Sequence, residues 1–430
     1  MQKTTNRTLC LILSLLLLLP LLLTGCAEPL TEPPESLTDN IPTGNKPTPD
    51  EKQHDPFLLA QTNFAIELLR HSASEGGENV LVSPLSVSLA LAMTANGAAG
   101  QTLDEMQAVL GGTLTPEQLN AQLCAYADAL PTDKKTSLSI ANAIWLRDDE
   151  DRLTVNDTFL QTAKTLYDAD AYRAPFDGST VKDINNWVND KTDGMIKQLL
   201  DEIPQAAVMY LVNALAFDAE WARPYETTDE VRVRTFTPAK GTGQQVEFLC
   251  SGESIYLSDE GAVGVAKPYA GGKYQFVALL PDEGTTPEQY LATLTPERLR
   301  NVLENPIEGV VVTQIPKFET EFTADLAALL CDMGMPTAFD GNTADFSPMA
   351  TSTAGNIFIS RVLHKTYISV AERGTRAAAV TAVEMTDGAA PINGDAPKPY
   401  YVILNRPFLY MIVDTEHQLP LFFGIVSNVK

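Results

Sequence analysis

The 430-residue chain has few basic residues, few aromatic residues and only four histidines. Its 30 Lys and Arg are outnumbered by 55 Asp and Glu, which gives a formal net charge of -25. Such an acidic surface repels the phosphates of nucleic acids and anionic lipids, so neither is expected to bind the folded protein. The chain also lacks the HExxH, GxSxG, GxxxxGK and GxGxxG motifs. An enzyme is therefore disfavoured, and no metal or cofactor is expected.

Cysteine is also sparse, with five in the chain. Cys10 and Cys26 lie near the amino terminus, and Cys124, Cys250 and Cys331 are scattered without CxxC spacing. This arrangement favours neither a disulfide framework nor a zinc site. At most one disulfide could form among the last three; none is predicted, and the sequence leaves their oxidation state open.

The amino terminus has the pattern of an export signal. Two basic residues precede an apolar stretch at 9–23, which ends in the sequence LTGC at 23–26. That ending resembles the lipobox of bacterial lipoproteins, which implies a signal peptide at 1–25 and lipid on the Cys26 thiol. The mature protein is therefore expected to be exported and lipid-anchored at the bacterial cell envelope, with the lipid as its only membrane contact.

A spacer is expected to follow the lipid. Residues 26–56 are rich in proline, threonine and acidic residues. Such a composition cannot pack a core and favours a semi-rigid, solvated tether. We therefore expect the folded domain to span 57–430.

Hydrophobic periodicity predicts a single large α+β domain. Apolar residues at helical spacing predict an amphipathic helix over 57–69. Ser83 and Pro84 suit the N-cap and first turn of a second, central helix that ends near 96–97. Further helices are expected at 183–200 and 321–333, and strands at 137–146, 209–217, 274–280, 310–318, 363–370, 400–404, 408–413 and 421–426.

The four histidines do not suggest catalysis. His54, His71 and His417 lie in polar surroundings and are expected to be solvated. His364 begins a predicted strand in an apolar setting. A hydrogen-bonded core histidine is favoured there over a catalytic base.

One segment near the carboxyl terminus combines two structural preferences. Residues 372–385 have the sequence ERGTRAAAVTAVEM. Small or apolar residues at every second position from Thr375 to Met385 are typical of a strand, yet alanine favours helix. The segment is predicted to adopt two conformations, and a segment that converts into a strand can do mechanical work on a partner.

Six separated motifs occur in a characteristic order. They are NVLVSPLS at 79–86, MTANGAAGQT at 93–102, NALAF through WARPY at 213–225, ISRVLHK leading into ERGT at 359–375, NRPFLY at 405–410 and FFG at 422–424. Together they resemble the serpin family over essentially all of 57–430. The resemblance implies a serpin fold, with three β-sheets, surrounding helices and an exposed reactive-centre loop.

The serpin resemblance also implies roles for individual residues. Trp221 matches the breach, where the loop first enters the central sheet. The shutter, a hydrogen-bond cluster beneath that sheet, is matched by Ser83, Ser86, Asn185 and His364. The hinge of the loop is matched by Glu372, Gly374, Thr375, Ala377, Ala378 and Ala379.

The mechanism implied by the resemblance is a covalent trap. A serine protease attacks the loop as a substrate and forms an acyl-enzyme, after which the cut loop inserts into the central sheet. Counting from Glu372 puts the reactive bond at Gly388-Ala389. Because the loop is longer than usual, the bonds Met385-Thr386 and Thr386-Asp387 remain alternatives.

The expected partners are serine proteases and some cysteine proteases, met by a monomeric inhibitor. No Lys or Arg lies between Arg376 and Lys398, so elastase-like or subtilisin-like proteases are favoured over trypsin-like ones. The alternative is a non-inhibitory serpin-fold binding protein at the cell surface, whose loop is cut but never inserted. The small-residue hinge favours the inhibitor.

Overall fold

The computed structural model describes residues 34–73, 79–148, 153–204, 207, 209–353, 355–375 and 398–430. Its helices are α1 (His54–Ser72), α2 (Pro84–Ala95), α3 (Gly100–Gly111), α4 (Pro116–Ala129), α5 (Asp157–Tyr167), α6 (Gly178–Lys191), α7 (Pro287–Thr293), α8 (Pro296–Glu304) and α9 (Ala327–Asp332). None of the helices in these ranges is long and apolar enough to cross a membrane.

The strands are also numbered in chain order. They are β1 (Glu35–Ser36), β2 (Val80–Val82), β3 (Thr136–Arg147), β4 (Leu153–Val155), β5 (Asp170–Ala174), β6 (Met209–Glu220), β7 (Val231–Phe236), β8 (Gln244–Asp259), β9 (Ala262–Pro268), β10 (Tyr274–Pro281), β11 (Ile307–Pro316), β12 (Phe318–Asp325), β13 (Ala350–Ser352), β14 (Leu363–Val370), β15 (Gly374–Thr375), β16 (Tyr400–Ile403), β17 (Phe408–Asp414) and β18 (Pro420–Val426).

These strands form three sheets, which confirms the predicted α+β class and sheet number. The seven-stranded sheet has the order β1-β5-β3-β6-β15-β14-β12. The nine-stranded sheet has the order β16-β11-β8-β9-β10-β17-β18-β2, with β7 also paired to β8. Strands β4 and β13 form a separate pair. The strand positions predicted from periodicity are all confirmed, although 310–318 spans the end of β11 and the start of β12.

Helix α2 lies between the two large sheets. Its start follows the prediction, with Ser83 as N-cap accepting the Ser86 N–H and Pro84 in the first turn. Every residue of α2 is buried, and the helix packs against β6 on one side and β18 on the other. Because it is covered all round, it needs no polar face. The helix predicted over 57–69 is likewise confirmed as α1.

Two predicted helices are wrong in part. Over 183–200, helix α6 ends at Lys191, and the next residues turn through positive φ at Asp193 and Gly194. Over 321–333, the first residues belong to β12, and α9 covers only Ala327–Asp332. In β12 exposure alternates along the strand, so the period-two pattern outweighs helix propensity there.

The predicted tether at 26–56 is wrong from residue 35 onward, because the folded unit begins at Glu35 rather than at residue 57. Strand β1 pairs with β5 at the edge of the seven-stranded sheet. Thr38 is buried, and its Oγ1 accepts the Ala171 N–H at 3.1 Å. Lys46 then pairs with Asp128 at 2.7 Å. The predicted signal peptide, Cys26 and the start of the tether lie outside the described residues.

His54 and His417 are less solvated than predicted. The His417 ring stands 5.4 Å from that of His54 and 5.2 Å from that of Tyr126, edge to face in both cases. Its Nδ1 lies 3.0 Å from Asp414 Oδ1, and this hydrogen bond, followed by the Asp414 charge, raises the pKa of His417 despite partial burial. The cluster forms because α1 begins against the β17–β18 turn, which local sequence does not reveal.

The three cysteines of the folded unit are free thiols. Cys124 is buried in α4, and burial raises the pKa of its thiol to about 12. Cys250 and Cys331 are half-buried. A thiol with such a raised pKa is a poor nucleophile, so Cys124 acts as a small core residue.

Candidate functional site

The first strand residues of the hinge, Gly374 and Thr375, are already part of the seven-stranded sheet. Strands β14 and β15 form a hairpin in which Val370 pairs with Thr375 and the Ala371 N–H donates to the Gly374 carbonyl at 3.0 Å. On its other side β15 pairs with β6, Thr375 lying opposite Ala219. Thr375 is only 1% exposed. Although the resemblance implies that the loop inserts after it is cut, Gly374 and Thr375 are already paired in the uncut chain.

Space, rather than backbone freedom, requires glycine at position 374. A Cβ on Gly374 would lie 2.0 Å from the carbonyl oxygen of Ala219 and 2.8 Å from Cα of Glu220. These contacts are with the backbone of β6, which cannot yield as a flexible side chain can. Glycine at hinge position 374 is therefore explained by close strand approach rather than by a positive φ.

We call the region between β6 and β14, beyond the end of β15, the slot. In the described chain no ladder pair joins these two strands directly, and β15 is the strand between them. Part of the slot is a small cavity of about 20 Å³, enough for about one water. It is lined by Leu211 and Asn213 of β6, by Leu363 and His364 of β14, and by Ser86 of α2, among others. The arrangement can accept a strand that continues from Thr375.

The floor of the slot is a buried hydrogen-bond cluster. The Ser83 N–H donates to His364 Nε2 at 3.1 Å, so the neutral ring carries its proton on Nδ1. The Ser86 hydroxyl donates to Asn213 Oδ1, and Asn213 Nδ2 donates to Asn142 Oδ1. Burial lowers the pKa of His364 to about 4. The structure thus brings three of the four predicted shutter residues together around a neutral histidine.

Asn185 does not belong to this cluster, which corrects the fourth shutter assignment. It lies on α6, where its Oδ1 accepts the N–H groups of Leu199 and Leu200 at 2.7 and 2.9 Å. Its Nδ2 donates to the Leu200 carbonyl at 2.8 Å. Asn185 therefore fastens the chain after α6. The asparagines that sequence reasoning missed are Asn142 and Asn213, whose signal is that they face each other on β3 and β6.

Trp221, the predicted breach residue, lies against the hinge turn. Its indole N–H donates to the Ala371 carbonyl at 2.8 Å, and its backbone N–H donates to Arg373 O at 2.8 Å. The indole stacks on Tyr269, with 4.5 Å between ring centroids. The Tyr269 hydroxyl in turn shares a hydrogen bond with the hydroxyl of Thr375. Nothing in the sequence around Tyr269 indicated this contact.

An ion pair holds the outer side of the hinge. Lys317 Nζ lies 2.7 Å from Glu372 Oε1 and 2.8 Å from Glu247 Oε2. Partial burial works to raise the pKa of Glu372, but the hydrogen bond and charge of Lys317 outweigh it and the net pKa is lowered. All three side chains remain partly exposed, so solvent screens the pair and its contribution is small.

The remaining predicted site residues lie outside the described residues. These are hinge residues Ala377, Ala378 and Ala379, reactive-bond candidates Met385, Thr386, Asp387, Gly388 and Ala389, and lipidation residue Cys26. Where the chain is described, no group of three or more His, Cys, Asp or Glu side chains could hold a metal ion.

The comparison with known protein families decides the identity of this fold. A family model described as Serpin (serine protease inhibitor) matches residues 59–429. The chain belongs to the serpin family. Alpha-1-antichymotrypsin of Pongo abelii is 32% identical to this serpin over 430 residues, covering 96% of this chain and 98% of the relative.

Solved serpin structures are also similar. The thermophilic serpin tengpin in its native state is 43% identical with a TM-score of 0.85, covering 92% of this chain and 100% of that chain. Tengpin in its latent state has a TM-score of 0.78, covering 90% and 100%. Human thyroxine-binding globulin complexed with thyroxine is 26% identical with a TM-score of 0.76, covering 88% and 99%. This serpin is thus more similar to native than to latent tengpin.

Proposed function

We propose that this serpin inhibits serine proteases as a suicide substrate, with the segment between Thr375 and Lys398 as the reactive-centre loop that the protease attacks. The observation that supports the proposal is the β14–β15 hairpin at the end of the slot between β6 and β14. Its turn is folded and two residues of its second strand are already paired. A strand that continued from Thr375 in the same direction would run between β6 and β14, with one of these strands on each side.

The covalent step is an ordinary proteolytic reaction that stops after acylation. The protease serine oxygen attacks the carbonyl carbon of the reactive bond, the C–N bond breaks, and the protease histidine passes the serine proton to the leaving amine. The amino-terminal side of the loop then remains attached to the protease as an ester. Continued strand insertion pulls that ester, and the protease with it, along the sheet before water can hydrolyse it.

Insertion has a physical driving force in this sheet. The inserted residues add ladder hydrogen bonds to β6 and β14 in alternation, and they bury small side chains against α2 and the sheet. The alternation from Thr375 to Met385 suits the two faces of such a strand, and no proline interrupts 375–385. A bulky charge at a buried position of this strand would oppose insertion because it would have to be desolvated.

The proposed target proteases and the proposed location of the protein depend on residues outside the described part of the chain. The reactive bond is proposed at Gly388-Ala389, with Met385-Thr386 and Thr386-Asp387 as alternatives, and elastase-like or subtilisin-like proteases are the proposed targets. The LTGC ending at 23–26 supports export and a lipid anchor on Cys26. No step of the mechanism calls for a cofactor or for catalysis by this chain.

A second function has one observation in its favour. Thyroxine-binding globulin, which has been solved in complex with thyroxine, has a similar fold at 26% identity. A non-inhibitory binding protein at the cell surface would keep the same fold without using the slot. The pre-paired hinge and small-residue loop favour the inhibitor.

The two functions are separated by incubating the protein with elastase, subtilisin and trypsin. We expect a complex that survives SDS with elastase or subtilisin, and none with trypsin, since no Lys or Arg lies between Arg376 and Lys398. Mass spectrometry of the released peptide identifies the bond. Loop cleavage should also raise the melting temperature by at least about 10 °C, which in a folded unit of this size corresponds to about 8 kcal/mol of added stability. Cleavage without complex or stabilisation would support the binding protein.

A further inference from the structure

A buried lysine lies directly behind the segment that receives the hinge. Lys267 of β9 is 1% exposed, and its Nζ donates to Glu253 Oε1 of β8 at 2.7 Å. It also donates to the carbonyl oxygen of Arg223 at 3.3 Å. The ammonium stands 4.6 Å from the ring centroid of Tyr225 and 5.4 Å from that of Trp221. Every partner but Glu253 belongs to the segment 221–225.

A buried ammonium is costly unless it is paired and hydrogen-bonded, so these contacts constrain one another. Burial lowers the pKa of Lys267, and the neighbouring Glu253 carboxylate opposes that effect. Removing either partner would leave the other buried charge uncompensated. The Lys267 ammonium therefore holds the segment 221–225 against the nine-stranded sheet, because moving the segment away would remove contacts that stabilise the buried charge.

Glu253 is itself held in place from the other side. Ser251 donates its hydroxyl proton to Glu253 Oε1 at 2.6 Å. Because that proton is used, the Tyr225 hydroxyl is the donor in its 3.1 Å contact with Ser251. The Ser251 oxygen also lies 3.0 Å from Thr313 Oγ1 of β11. Lys267 of β9 thus contacts Trp221 at the start of the segment, and Ser251 of β8 contacts Tyr225 at its end.

The opposite side of the same segment holds the hinge turn. Backbone N–H groups of Trp221 and Tyr225 donate to the carbonyls of Arg373 and Glu372 at 2.8 and 2.9 Å. The Trp221 indole donates to the Ala371 carbonyl. Three successive carbonyls of the turn between β14 and β15 are therefore fixed by the segment that Lys267 holds.

We propose that Lys267 and Glu253 are a positioning pair for loop insertion, which fixes 221–225 as the template on which the hinge turn is folded. The inference rests on the proposed trapping function. Starting a strand pair from an unfolded turn costs loop-closure entropy, whereas adding residues to a folded hairpin does not. A folded turn also sets the register, and a slip by one residue would exchange the two faces of the inserted strand. When this template is intact, insertion after cleavage requires only that further residues add to a hairpin whose turn is already folded.

The test uses Lys267→Met, and Lys267→Met combined with Glu253→Leu, in the full chain. The first removes the ammonium but leaves Glu253 unpaired; the second removes both charges. Lys273→Met, at an exposed lysine of the same β9–β10 region, is the matched control. For each protein we would measure the rate of loop attack, the number of inhibitor molecules consumed per trapped protease, and the urea midpoint.

We expect Lys267→Met to raise the number consumed per trapped protease roughly tenfold, because insertion slows while loop attack does not. The double variant should recover the urea midpoint without recovering trapping, which a purely stabilising role would not produce. Trapping restored together with stability in the double variant would overturn the proposal. Normal trapping by a folded Lys267→Met protein would do the same.

Hydrogen exchange of the uncut protein separates this inference from the proposed function. The amides of Trp221 and Tyr225 should lose protection in both Lys267 variants and keep it in Lys273→Met. Unchanged protection would overturn the positioning role whether or not the protein traps a protease. Absence of any covalent complex with the unaltered protein would instead overturn the proposed function.

Discussion

His364 is neutral because its ring is buried and its Nε2 accepts the Ser83 N–H. Its pKa falls from the usual 6.5 to about 4 in the folded protein. Between these values the unfolded chain binds more protons than the native one, so stability is lost as pH falls below 6.5. The loss attributable to this histidine reaches about 3 kcal/mol near pH 4.

Replacing His364 by Gln should flatten the acid side of the stability profile. Glutamine keeps an acceptor for Ser83 but does not titrate, so the urea midpoint should fall less between pH 7 and pH 4.5 than in the unaltered protein. His417→Gln is the control with opposite sign. The raised pKa of His417 adds stability below its unfolded value that is lost as pH rises. Its removal should therefore steepen the fall, and equal slopes in all three proteins would contradict the assignment.

At the scale of elements, the β14–β15 hairpin is the part of the fold on which the proposed mechanism depends. Thr375 packs at its end, where its hydroxyl shares a hydrogen bond with Tyr269. The backbone of β15 pairs with strands on both sides. An inserted strand therefore needs a side chain at 375 that is small and without charge.

Thr375→Arg should convert the inhibitor into a substrate. The guanidinium has no room or ionic partner at a position that is 1% exposed, so the hinge is expected to leave the sheet and insertion to slow. SDS gels should then show cleaved protein in place of the covalent complex. Thr375→Val is the matched control: it loses one hydrogen bond, worth about 1 kcal/mol, but keeps the size and should still trap. Stoichiometric trapping by Thr375→Arg would refute the insertion argument.

At the scale of the whole molecule, the amino-terminal segment (residues 35–50) is part of the folded unit. It adds β1 to the edge of the seven-stranded sheet and buries Thr38 against the start of β5. Further along, the Gly44 N–H donates to Thr165 Oγ1 at 2.9 Å, and Gln122 Nε2 donates to the Asp50 carbonyl at 2.6 Å. The segment therefore ties α4, α5 and β5 together.

A chain that begins at residue 51 should be less stable than one that begins at residue 34. We expect a loss of about 2–4 kcal/mol, from several hydrogen bonds and the buried apolar surface under Leu37 and Ile41. The urea midpoint monitored by tryptophan fluorescence measures the difference. Equal midpoints for the two chains would mean that the segment contributes no net stability.

The sequence alone determined the features that depend on a local hydrophobic period or on motifs of several residues. Periodicity located α1, α2 and the long strands, since burial of one face imposes a period on the chain. The ordered motifs identified the serpin fold, the Gly374 hinge, and Ser83, Ser86 and His364 as neighbours. In β12, where helix propensity and the alternation of buried and exposed residues favoured different structures, the chain forms the strand that the alternation favours.

Only the tertiary structure decided which distant residues meet. It placed Asn213 rather than Asn185 beside Ser86, and it docked residues 35–50, whose composition favours a free tether. It paired Lys267 with Glu253 behind Trp221, although a lysine in a strand ordinarily faces solvent. It also placed Thr375 within the sheet before any cleavage. These contacts join residues far apart in the chain, and their energies depend on burial and strand approach, which local sequence does not encode.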